Sequence, residues 1–182
     1  WFASYGAMVG QLVALAARHR VAEVYVGSEL SSLDGPGDVG HWRALVGGLR
    51  ARFAGRLGYA ANWDHYEAFA IAELVDVIGI SAYFPLSKWP EERPRLLALA
   101  RRAKRPLVFT EVGFLSQRGL AERPWEEASN EPVDVEEQRR AYADFIALWN
   151  GEPGLSGVYF WNWYGFGGAR SRSYTPRGKP AA

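Results

Sequence analysis

Val24-Tyr25-Val26-Gly27-Ser28-Glu29 is an apolar run that ends abruptly in a hydroxyl and a carboxylate. Four more stretches share that pattern. Leu57 to Ala61 ends in Asn62-Trp63-Asp64, and Val75 to Ser81 runs into Ala82-Tyr83. Leu107 to Thr110 is followed by Glu111, and Gly157 to Trp161 by Asn162-Trp163. Counted from Glu23 to Gly27 for the first, these are five short, β-branched segments with little polar alternation. A strand without alternation is buried on both faces, which is the mark of a parallel sheet covered by helices.

The segments between them carry apolar residues at helical spacing. Met8, Leu12, Leu15 and Ala16 form a stripe within Tyr5 to Arg18, and Trp42, Leu45, Val46, Leu49 and Phe53 form one across roughly 39 to 54. A shorter helix is expected from about His65 to Leu74, and another over 91 to 103 with Leu96, Leu97, Leu99 and Ala100. The last spans 134 to 149 with Tyr142, Phe145, Ile146 and Trp149. Asp134 is its N-cap, Glu136 and Glu137 lie in its first turn, and Gly151 ends it.

Helices and strands therefore alternate, and a doubly wound open sheet and a (β/α)8 barrel both match. The strand tails favour the barrel. An open sheet concentrates its site at one switch point, whereas a barrel builds its site from many strand ends at one face, and all five tails here are chemically rich. A whole barrel needs about 250 residues. The expectation is thus a C-terminal barrel portion, residues 1–182, covering about strands 4 to 8, with strands 1 to 3 and their helices upstream of Trp1. Five strands of eight leave two unpaired edges.

Composition narrows the function classes. The 182 residues are 48% hydrophobic, with 21 Lys plus Arg against 20 Asp plus Glu and a formal net charge of +1. Without a long like-charge run, nothing points to nucleic acid or an anionic membrane surface, and no apolar stretch reaches the roughly 18 residues of a membrane span. There is no cysteine, which removes disulfides, thiolate metal sites and Cys nucleophiles. His19, His41 and His65 are scattered without metal-ligand spacing, so neither a metal nor a cofactor is expected. The compartment, secreted or cytoplasmic, and the oligomeric state stay open. Eight Trp, nine Tyr and nine Phe are a heavy aromatic load, and many, such as Trp63, Trp161 and Trp163, fall in turn-like segments where ring faces suit the apolar side of a pyranose.

Glu29 and Glu111 each directly follow or end an apolar strand. Burying a carboxylate there without purpose costs several kcal/mol. Two such groups are what glycoside hydrolysis needs: one protonates the leaving oxygen and the other attacks the anomeric carbon.

The wider run resembles glycoside hydrolase family 113, whose members act on β-1,4-mannans and manno-oligosaccharides. The resemblance is carried by Gly27-Ser28-Glu29-Leu30, Trp42-Arg43, Tyr59-Ala60-Ala61-Asn62-Trp63, Asp76 through Leu86, Phe109-Thr110-Glu111-Val112-Gly113, Pro124-Trp125, Gln138 and Tyr174-Thr175-Pro176 with Gly178-Lys179-Pro180, in order over nearly the whole chain. In the clan of retaining barrel glycosidases the acid/base ends strand four and the nucleophile ends strand seven. If the last strand here is the eighth, 23–28 becomes the fourth and 107–110 the seventh. The resemblance then implies Glu29 as acid/base, Glu111 as nucleophile, and Tyr83 as the hydrogen-bond donor that holds Glu111. It also implies Trp161 as a sugar platform, with Asn62, Trp63 and Trp163 along the groove. The clan has Asn where this chain has Ser28, whose shorter side chain needs a water or another residue to reach the sugar 2-hydroxyl.

The expected activity is β-1,4-glycoside hydrolysis with retention, on β-mannan or manno-oligosaccharides. Its rival is a non-catalytic barrel that binds carbohydrate within a phage-like or cell-wall assembly. A third reading, a phosphorylated substrate, rests on Gly165-Phe166-Gly167-Gly168 with Arg170 and Arg172, but no helix N-terminus follows to complete a phosphate cradle.

Overall fold

The computed structural model describes residues 1–127 and 129–182. Helix α1 (Phe2–Arg18) leads into β1 (Glu23–Ser28), and α2 (Val39–Arg50) into β2 (Arg56–Asn62). Strand β3 (Val77–Ser81) follows, then α3 (Trp89–Ala103), β4 (Leu107–Val112), α4 (Val135–Trp149) and β5 (Leu155–Phe160). The strands form one five-stranded sheet in the order β1-β2-β3-β4-β5, and the β1–β2 and β2–β3 pairs are parallel. Strands that neighbour one another in sequential order form the wall of a barrel, not a doubly wound sheet that reverses at a switch point.

The chain divides into two compact units. The first comprises 1–81 and 99–108, and the second 82–98 and 109–182.

In the first unit β2 and β3 are buried along almost their whole length, as unalternating apolar runs require. Trp42 of α2 sits edge-on to Tyr59 of β2, with ring centroids 5.2 Å apart, and Phe69 stacks on Tyr59 at 5.2 Å. Of the stripe expected over roughly 39 to 54, Trp42, Val46 and Leu49 of α2 are buried and Leu45 is half-buried, while Phe53 is buried beyond the helix end at Arg50.

Two expectations in this unit are corrected. The stripe of Met8, Leu12 and Leu15 faces solvent, with Met8 51% and Leu12 56% exposed, while Val9 and Val13 one step round the helix are buried. Helix α1 is apolar on adjacent faces, and periodicity alone does not say which one meets the sheet; the hydrogen bond from the Tyr5 hydroxyl to the Val26 carbonyl, 2.9 Å, marks the side that does. The helix expected over 65–74 is only a single 3-10 turn, Tyr66–Ala68. Tyr66, Phe69, Ile71 and Ala72 are all buried, a spacing no single helical face can present, and the Ala70 amide is taken by the carbonyl of Asp34 at 3.0 Å instead of by its own helix.

The second unit is held by an aromatic cluster. Trp89 packs edge-on against Phe109, Phe145 and Trp149, with centroids 5.1–5.9 Å apart. Asp134 caps α4 as the sequence indicates, its side chain accepting from the Glu137 amide at 2.8 Å. Gln138 is fully buried and donates to the carbonyls of Phe114 and Tyr174, both at 2.8 Å, which fastens α4 to the loop after β4 and to the C-terminal segment. Among the described residues no helix is long and apolar enough to cross a membrane.

Candidate active site

In the first unit, chemistry gathers at the C-terminal ends of β1 and β2. Ser28 closes β1, and Glu29 follows with a backbone φ of 54°. Left-handed backbone is unfavourable for a residue with a Cβ, so something must hold it. The Glu29 amide donates to the Ala60 carbonyl at 2.8 Å, and the next amide, that of Leu30, donates to the Tyr59 hydroxyl at 3.1 Å. Both acceptors lie on β2. Gly27 leaves room for the Tyr59 ring, since a Cβ added there would fall 2.6 Å from it. The Glu29 and Ser28 side chains are exposed to solvent. Asn62 ends β2 opposite Ser81 of β3, and the Trp63 amide donates to the Ser81 carbonyl at 3.1 Å, so these two candidates for the sugar groove leave the sheet from one pinned turn.

In the second unit, Glu111 stands half-buried on β4 and accepts a 2.8 Å hydrogen bond from the Tyr83 hydroxyl. The backbones agree, since the Ala82 amide donates to the Glu111 carbonyl at 2.7 Å. Burial first, and then the bond to Glu111, raise the Tyr83 pKa far above the ordinary phenol value. Tyr83 therefore stays protonated and donates, which favours an ionised carboxylate beside it. Tyr174 backs Tyr83, ring centroid to ring centroid 6.2 Å, and is itself fastened by its hydroxyl to the Pro124 carbonyl at 2.6 Å.

Trp161 follows β5 with its amide bonded to the Val112 carbonyl at 2.7 Å, and its peptide bond to Asn162 is cis. Trp161 is 36% exposed and Trp163 62% exposed. Tyr164 and Phe166 stack in parallel at 5.1 Å nearby. The glycine-rich segment that suggested a phosphate cradle spends an amide elsewhere: Gly168 donates to the Arg177 carbonyl at 2.9 Å.

The structure thus joins Tyr83 to Glu111 in one unit and sets Ser28, Glu29, Asn62 and Trp63 on adjoining strand ends in the other. It also contains residues that the sequence reading passed over. Asp34 is fully buried, accepts a hydrogen bond from the Tyr59 hydroxyl at Oδ2 (2.9 Å), and has Oδ1 3.3 Å from His65 Nε2. Desolvation raises its pKa, against the lowering effects of Tyr59 and His65. Lys179 is buried with Nζ donating to Ser116 Oγ at 2.9 Å and to the Ser173 carbonyl at 2.8 Å. The Tyr59 and Lys179 stretches were visible as motifs, but Asp34 sits in a Gly- and Ser-rich loop with no pattern to mark it. Among the described residues, no group of three or more His, Asp or Glu side chains is placed to hold a metal ion.

The model of Glycoside Hydrolase Family 113 matches residues 1–173. A family 113 β-mannanase from Alicyclobacillus acidocaldarius, solved in complex with ManMIm, superposes with a TM-score of 0.91 at 30% identity over 100% of this chain and 59% of that one. A second family 113 β-1,4-mannanase gives 0.92 at 23% identity, covering 100% and 60%. A β-glucuronidase from Faecalibacterium prausnitzii, at 14% identity and a TM-score of 0.72 over 99% of this chain and 33% of that one, shares the fold alone. A search of curated protein sequences finds no match. The chain spans about three fifths of the length of the mannanase structures it matches. Its five-stranded sheet is accordingly a portion of a (β/α)8 barrel. With the family model matching residues 1–173 of 182, the chain belongs to glycoside hydrolase family 113.

Proposed function

We propose that this chain supplies both catalytic carboxylates of a retaining glycoside hydrolase acting on β-1,4-linked mannan or manno-oligosaccharides. Glu29 is the acid/base and Glu111 the nucleophile. The observation that carries the reading is the 2.8 Å hydrogen bond from Tyr83 to Glu111, which suits an ionised carboxylate ready to attack. Further support comes from the family match, from the β-mannanase character of the similar structures, and from the two glutamates lying at the ends of β1 and β4, strands separated by two others in the sheet.

In the first step Glu111 Oε attacks the anomeric carbon as Glu29 gives its proton to the departing glycosidic oxygen. The glycosyl–enzyme ester is then opened by water, from which Glu29, now the base, takes a proton, and Glu111 leaves as carboxylate. Trp161 and Trp163 offer ring faces to the sugar, while Ser28, Asn62 and Trp63 contribute polar and aromatic contacts along the groove.

The test is hydrolysis of manno-oligosaccharides followed by proton NMR, with Glu29→Gln and Glu111→Gln as controls. The expected first product is the β-anomer, and Glu111→Gln is expected to abolish turnover. An initial α-anomer, or turnover that survives Glu111→Gln, overturns the mechanism. Saturable binding without turnover by the unaltered protein overturns the enzyme reading in favour of a carbohydrate-binding barrel.

A further inference from the structure

The exposed carboxylate of Glu29 hangs on a backbone that is itself gripped from below. Its own amide is held by Ala60 and the following amide by the Tyr59 hydroxyl, both on β2. That hydroxyl has a second duty, since it donates to Asp34 Oδ2 at 2.9 Å. A phenol that donates to a carboxylate becomes a better acceptor for a third group, because chained hydrogen bonds polarise one another. Asp34 is fully buried in the loop that leaves Glu29. That loop is closed further by the Trp42 indole donating to the Leu33 carbonyl at 2.7 Å. On the other side, His65 Nε2 lies 3.3 Å from Asp34 Oδ1, directly after the Asn62-Trp63 turn.

A buried carboxylate is costly unless it is hydrogen-bonded, and a left-handed non-glycine residue persists only where its surroundings over-determine it. Here the two costs are adjacent and share one clamp. Resting on the assignment of Glu29 as the acid/base, we propose that Tyr59 and Asp34 are positioning residues for Glu29, fixing its left-handed backbone so that its carboxyl meets the glycosidic oxygen.

A purely structural role would weaken all chemistry alike, whereas a role in aiming the acid shows only where an acid is needed. The experiment therefore compares kcat/KM for an unactivated manno-oligosaccharide with that for a 2,4-dinitrophenyl β-mannoside, whose leaving group departs without protonation. The protein is used at its natural length. Tyr59→Phe keeps the ring against Gly27 and Trp42 and removes only the hydroxyl. The expected result is a loss of about tenfold to a hundredfold on the oligosaccharide, carried mainly by kcat, as for a catalytic group displaced by about an ångström, with the aryl glycoside unchanged. Asp34→Asn, which keeps an acceptor for Tyr59 but not the charge, is expected to give the same selectivity at smaller amplitude, and it provides the readout if Tyr59→Phe does not fold. Glu29→Gln is the reference. If Glu29→Gln shows the selective loss while the Tyr59 and Asp34 variants show an equal loss on both substrates, or none, the positioning role is overturned and the acid assignment stands. If Glu29→Gln itself lacks that selectivity, the acid assignment falls and takes the positioning role with it.

Discussion

Replacing Tyr83 by Phe removes a single oxygen, the one 2.8 Å from Glu111 Oε2, and leaves the ring against Tyr174. A hydrogen bond to a charged acceptor contributes about 1.5–3 kcal/mol. Glu111 has further interactions of its own, so part of its stabilisation survives and the lower end of that range applies. About 1.5 kcal/mol in the barrier for attack is roughly a tenfold fall in kcat/KM. The loss should appear on activated aryl mannosides as well as on oligosaccharides, since nucleophilic attack is common to both. That separates it from the substrate-selective loss expected at Tyr59. Steady-state kinetics on both substrates, with a thermal melt alongside, is the assay. A change of less than about twofold in kcat/KM, or a loss that tracks a lowered Tm, refutes the claim that Tyr83 readies the nucleophile.

Gly113→Ala is expected to be destabilising, because the new Cβ would lie 2.2 Å from the Trp161 carbonyl oxygen and 2.9 Å from the Tyr174 ring, and backbone cannot yield as a flexible side chain does. An overpacking cost of about 1–3 kcal/mol corresponds to a Tm lower by roughly 2–12 °C by calorimetry, together with weaker sugar binding as Trp161 is displaced; an unchanged melt would contradict the contact. Lys179 supplies a pH test. Burial lowers its pKa to about 8, whereas the unfolded chain holds that proton up to roughly 10.4. The unfolded state thus binds more protons between those values, and stability from this group is flat below pH 8 and rises as pH climbs above it. Lys179→Met should therefore lose a gain in Tm between about pH 8 and 10 that the native chain shows; identical pH profiles would refute it.

Much of the architecture was legible because parallel strands buried on both faces leave an unmistakable local mark. Val77 to Ser81 is apolar at both parities and is buried throughout, and Leu107 to Val112 behaves similarly up to the polar pair Thr110-Glu111. The cap at Asp134 was legible for the same reason, since it is a contact between residues three apart. The stretch 65–74 was not, because its burial comes from elements distant in sequence: the Asp34 carbonyl takes the Ala70 amide and Tyr59 stacks on Phe69. The outward turn of Met8, Leu12 and Leu15 was hidden likewise, because a helix apolar on adjacent faces carries no record of which neighbour it meets.

By itself, the order of residues determined the alternation of strands and helices, the sequence resemblance to family 113, and the position of two glutamates at strand ends, since each is written in neighbours a few residues apart. No local pattern pairs Tyr83 with Glu111, 28 positions away; the resemblance implied that pair and the tertiary structure gave its 2.8 Å bond, while only the tertiary structure decided that Tyr59 bridges Leu30 to Asp34 across 29 and 25. The physical reason is that a hydrogen bond is made at about 3 Å, and chain distance says nothing about which distant side chains folding brings that near.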